Sequence, residues 1–320
     1  MWGRTPMRCL VTGAAGFIGS NLCEQLLDLG HEVVGLDAFI PYYPSEIKQN
    51  NLIALKTRSK FTFHELDLRE DNLADATNNV SVVFHLAAMA GLVLSWKNFN
   101  LYSSCNLLAT QRLLDSLRNS ESLKKFIYVS TSSVYGKFSS GDESMPTKPS
   151  SPYGVTKLAL ENLCHAFREE FNLPLSVLRY FSVYGPRQRP DMGYNIFIKA
   201  MLNGETITVY GDGQQSRGNT YVSDCVNATI AAINSPDGET YNIGGGEIAS
   251  VWEIIERLEK ITGSKAKVKL EQARAGDQRS TGADISKAIR DFGWQPQVSL
   301  DEGLTRQVAW QKSLLIRKAA

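Results

Sequence analysis

Tyr153 and Lys157 stand four residues apart, a spacing that puts both side chains on one face of a helix. A phenol and an ammonium side by side make a proton-transfer pair. Free tyrosine, with a pKa of about 10, is a poor base at neutral pH, and a neighbouring positive charge draws it toward phenolate. Upstream, Ser130-Thr131-Ser132-Ser133 closes an apolar run that reads as a strand. From there Thr131 can hydrogen-bond a substrate hydroxyl and steer its proton to Tyr153. A third group lies near the start of the chain. Gly13-Ala14-Ala15-Gly16-Phe17-Ile18-Gly19 follows the apolar run Arg8–Thr12 and opens a segment of helical periodicity. Gly13 permits the tight turn, Gly16 lets a pyrophosphate approach the backbone, and Gly19 lets helix and strand pack closely. A glycine triplet alone can be no more than a tight connection. Asp37, roughly 20 residues on at the end of the next strand, adds a carboxylate for a ribose 2′-hydroxyl and against a 2′-phosphate. Asp67-Leu68 follows the third strand, where a carboxylate can reach an adenine amine. Together these features favour NAD over NADP.

The elements that must position these groups alternate. Strand-like runs fall at 8–12, 31–37, 61–65, 80–85, 125–130 and 175–180, with helical segments at 18–29, 102–118 and 153–171. Such alternation predicts an α/β fold, a Rossmann-type doubly wound parallel sheet with helices on both faces, whose ligands bind at the strands' carboxyl ends. After Tyr184 prolines, clustered glycines and shorter elements predict a smaller, mixed α/β substrate-binding region, with helices at 251–262 and 301–315. We read residues 1–183 as the dinucleotide-binding domain, with about 219–235 returning to it, and 184–320 as the substrate region.

Composition bounds the partners. The 320 residues carry 34 basic and 33 acidic side chains, a net charge of +1, and are 43% hydrophobic and 21% charged. That balance points away from nucleic acid or an acidic membrane, so an anionic ligand must be held by a few placed groups. Five scattered cysteines without a Cys-x-x-Cys pair fit a reducing compartment, and no metal is expected. Residues 1–7 lack a secretory signal's apolar core, and Val80–Leu94, the most apolar stretch, is too short for a bilayer. A cytoplasmic protein is expected.

The chain resembles an extended short-chain dehydrogenase/reductase of the nucleotide-sugar epimerase and dehydratase group, from about Arg8 to beyond Trp310. The resemblance is carried by Gly13–Gly19, His85-Leu86-Ala87-Ala88, Asn106, the hydroxyl cluster before Val134-Tyr135-Gly136, the Tyr153/Lys157 pair, and Arg179 to Arg189. It implies that Phe17, Ile18, Leu86, Ala87, Ala88 and Asn106 belong to the cofactor site, that Lys157 also grips the cofactor's ribose, and that Val183 backs the nicotinamide. It also separates reactions. The group's 4,6-dehydratases carry Asp-Glu after the catalytic threonine, and its uronate decarboxylases a glutamate at the second of those positions. This chain has Ser132 and Ser133, which favours C4 epimerisation through a 4-keto sugar over elimination.

By the same resemblance Arg217 and Arg274 meet the diphosphate of a UDP-sugar and Asp277 its ribose, although Gly218-Asn219 departs from the usual Asp-Phe or Asp-Trp. Pro186–Met192, and Phe39 with Tyr42-Tyr43, are similar to UDP-glucuronate 4-epimerases. Thr131, Ser132, Ser133 and Ser182 then form a ring of hydroxyls for a C6 carboxylate, with Arg189 nearby, holding it where a β-keto acid cannot readily lose CO₂. Val93 stands where many relatives have arginine; were that arginine the carboxylate's partner, a neutral sugar such as UDP-glucose or UDP-N-acetylglucosamine would be preferred. A UDP-uronate decarboxylase is a further alternative, and an NAD-binding regulatory protein the non-catalytic one. The helices at 102–118 and 153–171 resemble those that pair relatives into homodimers.

Overall fold

The structure is a computed structural model that describes residues 5–273 and 279–319. Its centre is a seven-stranded sheet of β1 (Arg8–Thr12), β2 (Glu32–Asp37), β3 (Phe61–Glu65), β4 (Val82–His85), β5 (Lys125–Thr131), β6 (Leu175–Tyr180) and β7 (Glu239–Ile243). The strands lie in the order β3–β2–β1–β4–β5–β6–β7, and every pair is parallel. Chain order reverses between β1 and β4, which opens the crevice where ligands of such sheets bind.

The strands are apolar on both sides, and each side feeds its own core. Cys9, Val11, Ile127 and Val129 pack into one cluster with Leu22, Cys23 and Leu26 of the helix Phe17–Asp28. Leu10, Phe126 and Tyr128 pack into the other with Leu113, Leu114 and Leu117 of Ala109–Leu117 and Leu160 and Cys164 of Pro152–Phe171. Two faces buried by helices explain the near-continuous hydrophobic runs of the sequence.

The smaller region holds a five-stranded sheet and a two-stranded one. The chain trades strands between the layers. Phe138–Gly141 leaves the first half to join Ser280–Ala283, and Glu239–Ile243 leaves the second half to become β7. Just before that return, the helix Val222–Ala231 packs on Phe17–Asp28. The span expected to be one helix at 102–118 is three contiguous pieces, with a π-helical turn at Ser103–Leu108 in the middle. No helix among the described residues is long and apolar enough to cross a membrane.

Candidate active site

The glycine turn is tied to β2 by backbone hydrogen bonds from Gly13 and Ala14, and its first residue takes a positive φ that favours glycine. Gly13 has φ +71°, and its N–H donates to the Leu36 carbonyl at 2.7 Å, tying the turn to β2. A Cβ at Gly19 would run into the Gly13 carbonyl oxygen. The helix beginning at Phe17 thus presents its free N–H groups close to the end of β1.

Asp37, 7% exposed, accepts from the Phe39 N–H at 2.9 Å and pairs with Lys48 at 3.1 Å, both through Oδ1. Asp67 is gripped by the Arg69 guanidinium, which donates at 2.6 to 3.1 Å and holds the carboxyl below its usual range. These two cations went unnoticed in the sequence. Arg69 follows Asp67 by two residues and was legible in principle, whereas Lys48 reaches back from the next helix and left no pattern.

The wall Leu86–Ala90 is pinned from behind. Asn106, fully buried in the π-helical turn, accepts from the Met89 N–H at 2.7 Å and donates to the Met89 carbonyl at 3.1 Å and to Thr156 Oγ1 at 3.0 Å. With those bonds made it holds the wall and does not line the cavity. At the other end of that wall, Thr12 Oγ1 accepts from the Ala87 N–H at 3.1 Å and meets His85 Nδ1 at 2.7 Å, while His85 Nε2 meets Thr110 Oγ1 at 2.8 Å.

Tyr153 and Lys157 occupy the first turns of the helix Pro152–Phe171. Its start is set by Ser151, whose Oγ accepts from the Gly154 N–H at 3.1 Å, with proline at the first position. Thr131 ends β5 and caps the short 3₁₀ turn Ser132–Val134, accepting from the Ser133 N–H at 3.2 Å. Burial raises the Tyr153 pKa, opposed by the charge of Arg189 and a hydrogen bond with Thr131. Lys157 was expected to supply that charge. It lines the cavity with Tyr153, is buried, donates to the Val129 carbonyl at 2.6 Å over the Tyr128 ring, and is pushed down to about 7 by burial. Arg189, from the loop after Pro186, is a charge that offsets the effect of burial on the phenol.

One cavity of about 360 Å³ collects these groups. Its lining includes Gly13, Gly16, Phe17, Ile18, Gly19, Asp37, Asp67, Leu68, Leu86, Ala87, Ala88, Thr131, Tyr153, Lys157, Ser182, Val183 and Arg189, with Tyr42, Tyr43, Lys48 and Arg69 added by the fold. Ser132 and Ser133 do not line it. Both are buried in the 3₁₀ turn, and Ser133 accepts from the Thr131 hydroxyl at 3.2 Å, so the expected ring of four hydroxyls is reduced at the wall to Thr131 and Ser182. Arg217 lies on the strand Ser216–Tyr221 outside the cavity lining, with Nη1 donating to the Ser216 carbonyl at 2.9 Å. Arg274 and Asp277 lie outside the described residues. Val93 is 40% exposed on the short helix Leu92–Lys97, three residues beyond the lining residue Ala90, and does not itself line the cavity. No cluster of His, Cys, Asp and Glu able to hold a metal occurs among the described residues.

The chain is similar throughout its length to proteins of known family. It is 47% identical over 313 residues to an uncharacterized UDP-glucose epimerase, YtcB, of Bacillus subtilis, covering 96% of this chain and 99% of that protein. It is 38% identical to a UDP-glucuronate 4-epimerase of Thermodesulfobacterium geofontis, covering 95% of each. The crystal structure of UDP-glucuronic acid 4-epimerase from Bacillus cereus in complex with UDP-glucuronic acid and NAD superposes with a TM-score of 0.93 at 44% identity, covering 96% of this chain and all of that one. With the family pattern itself matching residues 9–244, the chain belongs to the NAD dependent epimerase/dehydratase family.

Proposed function

We propose that this protein is an NAD-dependent UDP-sugar 4-epimerase that interconverts UDP-glucuronate and UDP-galacturonate. One observation carries the choice of sugar: Arg189, Thr131 and Ser182 share the cavity wall with Tyr153, so a cation and two hydroxyls lie beside the proton-transfer residue. A carboxylate needs such donors, and a neutral hydroxymethyl group needs no cation. The B. cereus epimerase with a TM-score of 0.93 was crystallised with UDP-glucuronic acid and NAD.

The residues present fit NAD. The Gly13–Gly19 cradle has no room for a Cβ at Gly19, Asp37 keeps Oδ2 free of protein donors among the described residues, and Leu86–Ala88 line the same cavity, with Ala87 against Gly13. NAD held there supplies a reversible hydride acceptor. The chain's own part is proton management. Tyr153 takes the proton of the sugar 4-hydroxyl and returns it to the opposite epimer, Thr131 keeps that proton aligned, and Arg189 stabilises the phenolate that exists before the first transfer and again after the second. Ser132 and Ser133 bring no acid or base, so nothing adjacent to Thr131 promotes loss of water.

A homodimer and a cytoplasmic setting belong to the same proposal. Leu94, Trp96, Phe99, Leu108 and Val155 are each at least 40% exposed, and the short helices carrying Leu94, Trp96 and Phe99 pack beside Pro152–Phe171. That apolar patch suits pairing of helices between two copies. Incubation with UDP-glucuronate, UDP-glucose and UDP-N-acetylglucosamine, followed by proton NMR of the sugar, tests the substrate. UDP-galacturonate should be the product; exclusive turnover of a neutral sugar, or release of a pentose, would refute it.

A further inference from the structure

Arg189 already has an anionic partner. Its Nε and Nη2 donate to Asp191 Oδ1 and Oδ2, both at 3.0 Å, and its guanidinium lies over the Tyr42 ring at 5.1 Å. Tyr42 closes the triangle by donating its hydroxyl to Asp191 Oδ2 at 3.1 Å. The loop bearing this pair is fixed at its base. Arg187 pairs with Glu24 at 2.6 Å, and buried Gln188 donates to the Val183 carbonyl and accepts from the Asn195 N–H and the Gln307 amide. The backbone under Arg189 therefore stays put, and the guanidinium has only to choose between carboxylates.

The two partners differ in what they lose on separation. Asp191 has a side chain 39% exposed and can exchange Arg189 for water while keeping the Tyr42 hydroxyl. Arg189, 21% exposed and facing the cavity, would be left with an unpaired charge unless another anion replaced Asp191. A sugar carboxylate arriving beside Tyr153 is such an anion, and a neutral sugar is not.

We propose that Asp191 is an internal competitor for Arg189 whose carboxylate gives way to that of the sugar, so that the site selects a uronate by carboxylate exchange. The inference rests on the uronate reading above. It makes Asp191 a specificity residue that lowers affinity for the right ligand and keeps the cation satisfied when the ligand is absent or neutral.

Calorimetric titration of the NAD-loaded protein with UDP, UDP-glucose and UDP-glucuronate tests it, in a Tyr153→Phe background that leaves the sugar unreacted. Asp191→Asn should tighten UDP-glucuronate roughly five-fold, the scale of one partly exposed ion pair, and leave UDP and UDP-glucose unchanged. Adding Arg189→Gln should erase the gain. Weaker UDP-glucuronate binding in Asp191→Asn would make Asp191 a support for Arg189 and overturn the proposal. Equal tightening of all three ligands would assign Arg189 to the diphosphate and overturn it too. Absence of any preference for UDP-glucuronate over UDP-glucose in the parent protein would instead refute the uronate reading itself.

Discussion

His85 offers the sharpest numerical test of how the cofactor wall is held. Only 1% exposed, it lies between the Thr12 and Thr110 hydroxyls. We assign the Thr12 hydrogen to His85 Nδ1 and the ring proton to Nε2, donating to Thr110, an arrangement that pairs both ring nitrogens of a neutral imidazole while Thr12 Oγ1 accepts from the Ala87 N–H. A second proton on Nδ1 would face that Thr12 hydrogen with no acceptor. Burial, with the Lys157 charge behind it, lowers the His85 pKa to about 3. In the unfolded chain the value is about 6.5, so below that pH the unfolded state binds a proton the folded state refuses. Stability therefore falls with falling pH, by about 2 kcal/mol at pH 5 and about 4 kcal/mol at pH 3. His85→Gln cannot titrate. It should cost about 1–2 kcal/mol at pH 8, where it satisfies one threonine and disappoints the other, and close to nothing at pH 5. Urea unfolding of both proteins at the two pH values gives the comparison. Taking the difference removes the carboxylates and the other buried histidines that titrate in the same range. A penalty unchanged between pH 8 and pH 5 would mean that His85 is charged in the fold, and the bonding scheme for the Ala87 wall would be wrong.

Other expectations follow from the same geometry. Tyr153→Phe should still bind the UDP-sugar by calorimetry while losing about 10²–10⁴-fold in turnover by NMR; near-normal turnover would remove the phenol from proton transfer. Gly19→Ala forces a methyl group into the Gly13 carbonyl and should yield folded protein from which acid releases little or no NAD, as read by chromatography. Lys157→Met removes a buried ammonium whose folded pKa of about 7 lies far below the unfolded value of about 10.4. The burden of that charge is full below pH 7 and fades as pH rises toward 10, so the variant's melting temperature should exceed the parent's most at pH 6 and least at pH 10, with turnover lost.

What the sequence disclosed and what it withheld divide along physical lines. Strands buried on both faces must be continuously apolar, so β1 to β6 could be read from hydrophobic runs to within two residues at either end. β7 could not, because Glu239–Ile243 carries Glu, Thr and Asn among its five residues and owes its place to pairing with Leu175–Tyr180. Groups tied to a turn or a helix start announced themselves, as Gly13, Gly19, Tyr153 and Lys157 did. Groups defined by who faces whom did not. Asn106 has the same type and position whether it touches a ligand or holds Met89. Ser132 and Ser133 are hydroxyls whether they face the cavity or the interior of a 3₁₀ turn. Lys48 and Tyr42 gain meaning only when their loop folds back over Asp37 and Arg189.

The largest revision concerns the charge beside Tyr153. Sequence logic gave it to Lys157, the cation on the same helix face. Burial lowers Lys157 to about 7, and its ammonium donates to the Val129 carbonyl while lining the same cavity as Tyr153. Arg189 keeps its charge because Asp191 and the loop tyrosines favour the ionised form, and its field is the one that opposes the burial of Tyr153. On the proposal above, the acidity of the phenol and the recognition of the sugar draw on one guanidinium. A ligand that draws Arg189 away from Asp191 puts its own negative charge in Asp191's place, so Tyr153 faces an ion pair both before and after binding. A site organised this way can take a charged sugar without losing control of its base, and a neutral sugar leaves the original pair standing.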